Sequence, residues 1–343
     1  MFFKPRKLLV LATYIAILAT AGCASISQTV TQLITDPAQT NVLSGREGEN
    51  GPVLVVKIDD TRYARPQVGL EFADVVYIEQ VEGGLTRLAA VFSSIIPTRI
   101  GPVRSARISD VELFAQYGRV AFAYSGAQKK LLPVIAGANL SDVGAMRRGP
   151  MFYETDLNRI QPFAMFLNAQ TLMANELTKG TVIDSAKSVG WNFSKELENE
   201  GFEISNVTMH WPAQKYSATW DQALKRWNLS VNSVPDLSDR GENLGPTTLV
   251  IQLVSITPSE YGDKFGGNTP FSQTVGTGKG YVLRDSKVIA ANWSRPDSLS
   301  PTSWTDVNGA EIKFAPGQVW VALTDKEPDF TRKIASAPSP TSK

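Results

Sequence analysis

Cysteine and histidine are nearly missing, with one of each in 343 residues. The lone cysteine, Cys23, excludes an intramolecular disulfide and a cysteine metal cluster. The lone histidine, His210, makes any Ser-His-Asp, Cys-His or zinc chemistry depend on one residue. It sits in Val207-Thr-Met-His-Trp211 with no triad context, so it reads as structural. Ser125 follows an apolar run, but no Gly-x-Ser-x-Gly elbow surrounds it. A large charge of one sign is also lacking. The formal charge is +1, and residues 1–22 hold Lys4, Arg6 and Lys7 with no acid, so the remainder is slightly acidic. No basic field points to nucleic acid. No metal or cofactor set is expected. The longest apolar run, Leu8 to Ala21, is below the length of a spanning helix.

That run follows three positive charges and ends in Thr20-Ala21-Gly22-Cys23, the pattern of a secretory signal. With cysteine at the cleavage point it resembles a bacterial lipoprotein signal, although Thr20 replaces the usual Leu. The resemblance implies lipidation of Cys23 and a body held on the extracytoplasmic face of the cell membrane. An uncleaved anchor is the other reading. Residues 1–22 are thus expected as the signal and 23–50, mostly small and polar, as a flexible tether.

The densest chemistry lies in Glu79 to Arg107. Asp74 to Glu82 and Thr86 to Ser94 are β-rich, and Gly83-Gly84 between them predicts a two-residue hairpin turn. That turn pairs Glu82 with Leu85, Gln80 with Arg87 and Glu79 with Leu88. Arg87 then shares a face with Glu82, and Glu79 lies on the opposite, more apolar face. A three-residue loop would break this parity.

Beyond the hairpin, Pro97 to Arg107 carries Arg104 and Arg107 just before a predicted helix over 108–118. Ser109 with Glu112 fits a capping box. Guanidinium forks beside a helix start could hold a phosphate or carboxylate. The candidate anion or partner site is Arg65, Arg87, Arg104 and Arg107, with Asp59, Asp60, Glu79 and Glu82 as supporting acids. The same arginines could instead pair with those acids as an internal salt-bridge network. Both readings stay open on spacing alone.

Before this stretch, Pro52 to Ile58 reads as a buried strand with Asp59-Asp60 at its end. After it, 168–200 shows helical periodicity and closes in Lys195 to Glu200, a charge run that reads as a solvated helix face. From 201 on, short β-rich runs alternate with Gly, Pro, Asn and Asp turns, among them Val207–Trp211, Thr247–Ile256, Val288–Trp293, Glu311–Phe314 and Gln318–Leu323. Six of the seven tryptophans fall here and read mainly as core. Gly276-Thr-Gly-Lys-Gly280 matches a phosphate loop only weakly. The fold class is α+β: a mixed α/β domain over 51–200, a mainly antiparallel β domain over 201–326, and a disordered tail over 327–343.

The chain resembles the YerB-like bacterial lipoproteins, a family known as a two-part domain of unknown function. The resemblance rests on Ala64-Arg-Pro-Gln, Ala73-Asp-Val-Val-Tyr77, Val81-Glu-Gly-Gly84 with Thr86-Arg87, Ile100-Gly-Pro-Val-Arg-Ser-Ala-Arg107, Trp293-Ser-Arg295 and Pro316-Gly-Gln-Val-Trp320. Family members tend to carry His-Asn where this chain has Phe163-Ala164. The resemblance implies an envelope-attached, two-domain protein and no particular reaction. The expected role is a binding or adaptor module for an anionic cell-wall component or a wall-synthesis protein. The alternatives are a scaffold without ligand and a carboxylate-based glycan hydrolase or transferase, which would need two acids across a cleft.

Overall fold

The computed structural model describes residues 39–262 and 266–333. In chain order the first part contains β1 (Leu54–Asp59), β2 (Val75–Gln80), β3 (Thr86–Phe92), β4 (Arg99–Ile100), α1 (Ile108–Ala115), β5 (Val120–Ala123), α2 (Leu132–Gly137), β6 (Leu140–Asp142), α3 (Ala145–Arg148), β7 (Tyr153–Thr155), β8 (Met165–Asn168) and α4 (Ala169–Thr178). Strands follow: β9 (Phe202–Trp211), β10 (Gln214–Asp221), β11 (Arg226–Val231), β12 (Val234–Pro235), β13 (Thr248–Leu253), β14 (Ile256–Gly262), β15 (Asn268–Ser272), β16 (Gly276–Arg284), β17 (Lys287–Arg295), β18 (Ser303–Asp306), β19 (Val319–Thr324) and β20 (Asp329–Arg332). The fold class is α+β, with the described α-helices all before residue 180 and a largely antiparallel second part.

The main sheet runs β12-β11-β10-β9-β17-β16-β13-β19-β2-β3-β1-β5-β6. It is continuous across residue 200, because β19 pairs in parallel with β2, from Val319↔Val75 to Ala322↔Ile78. One face buries Ile58, Ile78, Leu88 and Phe92 with Leu172 of α4 and Trp227 and Trp320. The other buries Val55, Tyr77, Ala89 and Val91 under Leu113 and Phe114 of α1. Helix α1 therefore covers the face that carries Glu79 and Arg87. Five of the six C-terminal tryptophans (Trp211, Trp227, Trp293, Trp304 and Trp320) are core residues, and the sixth, Trp220, is only partly buried.

Several local expectations are corrected. Residues from Thr40 to Asn50 belong to the fold instead of a tether: Leu43 is fully buried and Ser44 Oγ donates to Asp74 at 2.6 Å. Within the expected tail, β20 pairs with β9. The helix near 170 ends at Thr178, and Lys195 to Glu200 is irregular, since its acids and lysine have no apolar stripe to bury. Glu311 and Phe314 make isolated bridges and no strand. Gly276–Gly280 lies within β16, so it is extended sheet and no phosphate loop. Among the described residues no helix is long and apolar enough to cross a membrane. Cys23 and its signal lie outside the described residues.

Candidate functional site

The hairpin register differs from the two-residue expectation. Glu82–Gly84 forms a three-residue turn closed by Val81 N–H donating to Leu85 O at 2.8 Å. Both glycines have positive φ, and Gly84 packs so tightly on Pro212 that an added Cβ would lie 2.5 Å from Pro212 Cβ. Ala213 N–H donates to Gly84 O at 2.9 Å, so the β9–β10 turn holds this loop from outside. The extra loop residue shifts parity, and Glu79 falls directly opposite Arg87. Asp59 on β1 is also directly opposite Arg87. One face thus aligns Asp59, Arg87 and Glu79.

Glu79 does not bond to Arg87. Its Oε1 lies 2.7 Å from Lys57 Nζ, and the same Nζ lies 2.8 Å from Asp110 Oδ1 at the start of α1. All three side chains are essentially inaccessible to water. Burial, offset by Lys57 and reinforced by Asp110, pushes the Glu79 carboxyl up to about 7. Asp110 Oδ2 accepts from Arg107 N–H at 2.6 Å, so Arg107 and Asp110 cap the helix, where Ser109 and Glu112 were expected. Ser109 Oγ accepts from Ser272 N–H, and Glu112 accepts from Thr274 and Val275 N–H. Both displaced capping candidates fasten the C-terminal part to α1.

The arginine loop is fixed by its backbone. Arg104 N–H donates to Lys57 O, Ser125 N–H to Arg104 O, and Ala106 N–H to Gly126 O, at 2.8 to 2.9 Å. Arg104 Nε approaches Asp59 Oδ2 at 2.7 Å. Arg107 grips Glu82 through Nε and Nη2 at 3.0 and 2.7 Å, and Thr269 Oγ1 also donates to Glu82. Burial alone would raise the Glu82 carboxyl, but the bonds and charge of Arg107 hold it below the ordinary value.

Arg87 stands between these pairs and is different. It is 8% exposed, donates Nη1–H to Ser105 O at 3.2 Å, and makes no ion pair among the described residues. Burial and the neighbouring Arg107 and Arg104 charges push its pKa down to about 9, so it still carries its charge at neutral pH. Asp59, Glu82, Arg87, Arg104 and Arg107 line one open cleft of about 800 Å³, with Lys129 and Lys130 at its side. Among the described residues the lining holds five cations against two carboxylates.

The other expected site residues lie elsewhere. Arg65 bonds Asp60 at 2.5 Å and Asp236 at 3.2 Å, and does not line the cleft. Asp60 also accepts from Thr86, Gln214 and Tyr216 in a buried cluster. Burial raises the Asp60 carboxyl and, with Asp60 nearby, lifts Asp236 to about 7. Glu79 is beneath α1 and also outside the cleft lining. Asp59 is the last residue of β1 and Asp60 the first beyond it, and the two side chains part to different partners, Arg104 for Asp59 and Arg65 for Asp60. His210 pairs with Asp329 at 2.8 Å on a half-exposed strand. Sequence reading missed Lys57, Asp110, Lys129, Lys130 and Asp236. The legible signal for Lys57 was a lone lysine inside Val-Leu-Val-Val-Lys-Ile.

The chain matches the family models for the N-terminal domain (residues 39–182) and the C-terminal domain (residues 207–321) of DUF3048, each described as a protein of unknown function. It is 36% identical over 290 residues, 80% of this chain and 81% of the relative, to YerB of Bacillus subtilis (strain 168), which is named as a candidate lipoprotein. The crystal structure of the Bacillus subtilis YerB protein superposes with a TM-score of 0.72 at 19% identity, covering 86% of this chain and all of that one. That likeness extends the shared fold across both parts. With both family models matched and a relative 36% identical over 80% of this chain, the chain belongs to the DUF3048 family of YerB-like proteins.

Proposed function

We propose that this is an envelope lipoprotein, held at the extracytoplasmic face of the bacterial cell membrane through lipidated Cys23, whose basic cleft binds an anionic cell-wall component. The lipoprotein part is supported by the signal pattern ending at Cys23 and by the name of the Bacillus subtilis relative. The binding part is carried by Arg87. A guanidinium that is nearly buried, repelled by Arg107 and Arg104 and, though drawn by Glu82 and Asp59, without an ion pair among the described residues is costly until an anion joins it.

The Arg104–Asp59 and Arg107–Glu82 pairs favour a second reading, an internal salt-bridge scaffold. Those pairs fix the loop; they leave Arg87 unexplained. The carboxylate-enzyme reading gains little, because Glu82 is held ionised by Arg107 and Asp59 is bound to Arg104. Glu79, whose carboxyl is raised, is buried away from the cleft.

The test is a calorimetric titration of soluble glycerol-phosphate oligomers, an anionic wall-polymer probe, into wild type and Arg87→Gln, both checked for folding by circular dichroism. Binding to wild type that weakens with salt and falls at least about tenfold in the variant supports the site. Equal binding by both proteins, or binding by neither, retires this ligand class, and a wall-synthesis protein becomes the partner to seek.

A further inference from the structure

The hairpin loop between β7 and β8, residues 156–164, is held firmly by its charged residues while it keeps two large aliphatic side chains in water. Two of its charged residues are held against the body: Arg159 donates to Ala64 O and Pro66 O at 2.9 and 2.7 Å, and Asp156 accepts from Arg99 at 3.0 Å and Asn158 N–H at 2.9 Å. Asp156 N–H also closes on Ala164 O at 2.8 Å, so the loop is pinned at both ends. Its two large aliphatic residues point out, with Leu157 92% and Ile160 65% exposed. Beside them Tyr63, 57% exposed, stacks on Phe163 with centroids 5.7 Å apart. A loop pinned at both ends that keeps Leu157 and Ile160 in water holds them as a candidate contact surface.

This surface is continuous with the cleft. The Arg104 guanidinium, part of the cleft wall, lies 6.0 Å from the Phe163 ring. Thr61, another lining residue, leads directly into the short turn that carries Tyr63. The cleft wall thus carries Arg87, without an ion pair among the described residues, and Arg104, whose guanidinium neighbours Phe163 of the loop that bears Leu157 and Ile160.

Resting on the anion-binding reading of the cleft, we propose that the ligand is an amphiphile, with a phosphate-bearing head at Arg87 and Arg104 and a hydrocarbon chain lying along Phe163, Tyr63, Ile160 and Leu157. A purely polar wall fragment would use the cleft and leave the loop unexplained. A flat bilayer would meet the loop but could not reach a guanidinium buried as deeply as Arg87. A single amphiphile satisfies both, since each methylene taken from water onto the apolar face strengthens binding by about fourfold.

The experiment compares methyl phosphate with octyl phosphate, the latter kept below its micelle-forming concentration, by calorimetry. The protein is the chain from residue 23 onward with Cys23→Ser, so that no attached lipid competes. Three variants follow: Arg87→Gln, the exposed pair Leu157→Ser/Ile160→Ser, and all three changes together. The expected result is at least about tenfold tighter binding of octyl phosphate than of methyl phosphate by wild type. The Leu157→Ser/Ile160→Ser protein should lose that advantage and keep its methyl phosphate affinity, and Arg87→Gln should weaken both. Equal affinity for the two phosphates in wild type overturns the amphiphile and leaves the anion site standing. An advantage that survives Leu157→Ser/Ile160→Ser also overturns it. Binding of neither phosphate overturns both readings.

Discussion

Glu79 and Arg87 sit directly opposite each other across β2 and β3, yet the carboxylate bonds Lys57, whose ammonium it shares with Asp110, leaving the guanidinium to the cleft. An acid and a base in register would ordinarily pair across a sheet. Here the buried lysine of β1 takes the acid first. That Arg87 has no ion pair among the described residues follows in part from the placement of Lys57.

Arg87→Met separates a binding site from a scaffold. If Arg87 held the fold through ion pairs, its loss would destabilise. Because it is buried, unpaired among the described residues and beside two like charges, replacement by an apolar chain is expected to be neutral or stabilising by about 1 kcal/mol. Thermal and urea unfolding of wild type and variant measure this. A loss of more than about 2 kcal/mol would assign Arg87 to structure.

Lys57→Met leaves Glu79 and Asp110 buried with no cation between them. The expected destabilisation is about 3–5 kcal/mol at neutral pH. Denaturant unfolding reads it, and the added change Glu79→Gln should recover part of the loss by removing one of the two stranded carboxyl groups.

Stability should fall as pH rises through neutrality. Glu79 titrates in the fold near 7, above the ordinary 4.5 of an exposed glutamate, so the folded state holds the proton more tightly than the unfolded chain. Its contribution is full below about 4.5 and is lost as pH rises toward and through 7. Asp236, raised from 3.8 to about 7, acts in the same direction. Together they predict a loss on the order of a few kcal/mol between pH 5 and pH 8. Glu79→Gln with Asp236→Asn should flatten this slope in urea-unfolding profiles. An unchanged slope would exclude these two groups as its source.

Gly84→Ala tests the turn that sets the register. The residue has φ +72°, and the new Cβ would meet Pro212 at 2.5 Å. Strain in the left-handed region and the clash together should cost about 2–3 kcal/mol in denaturant unfolding. Gly83→Ala, whose added Cβ meets no atom within 4 Å, should cost only its backbone strain, about 1 kcal/mol.

The sequence alone determined much of the frame. Short β-branched runs fixed β1, β2, β3, β5, β13, β17 and β19, because alternation and turn residues are local signals. It also placed Arg104 and Arg107 at the start of α1 and kept most of the tryptophans in the core. Tertiary structure decided which charges meet. The register of β2 and β3 depends on Pro212 and Ala213 clamping Gly84 and on Arg107 and Thr269 holding Glu82 in the loop, partners more than 20 residues away. A one-residue shift moves every side chain to the other face, so no local pattern could choose between the two arrangements. The separation of Arg65 and Asp60 from the cleft, and the capture of Glu79 by Lys57, arise the same way. Charge pairing in a folded chain is set by long-range packing, because the cost of burying an ion depends on what the rest of the fold brings beside it.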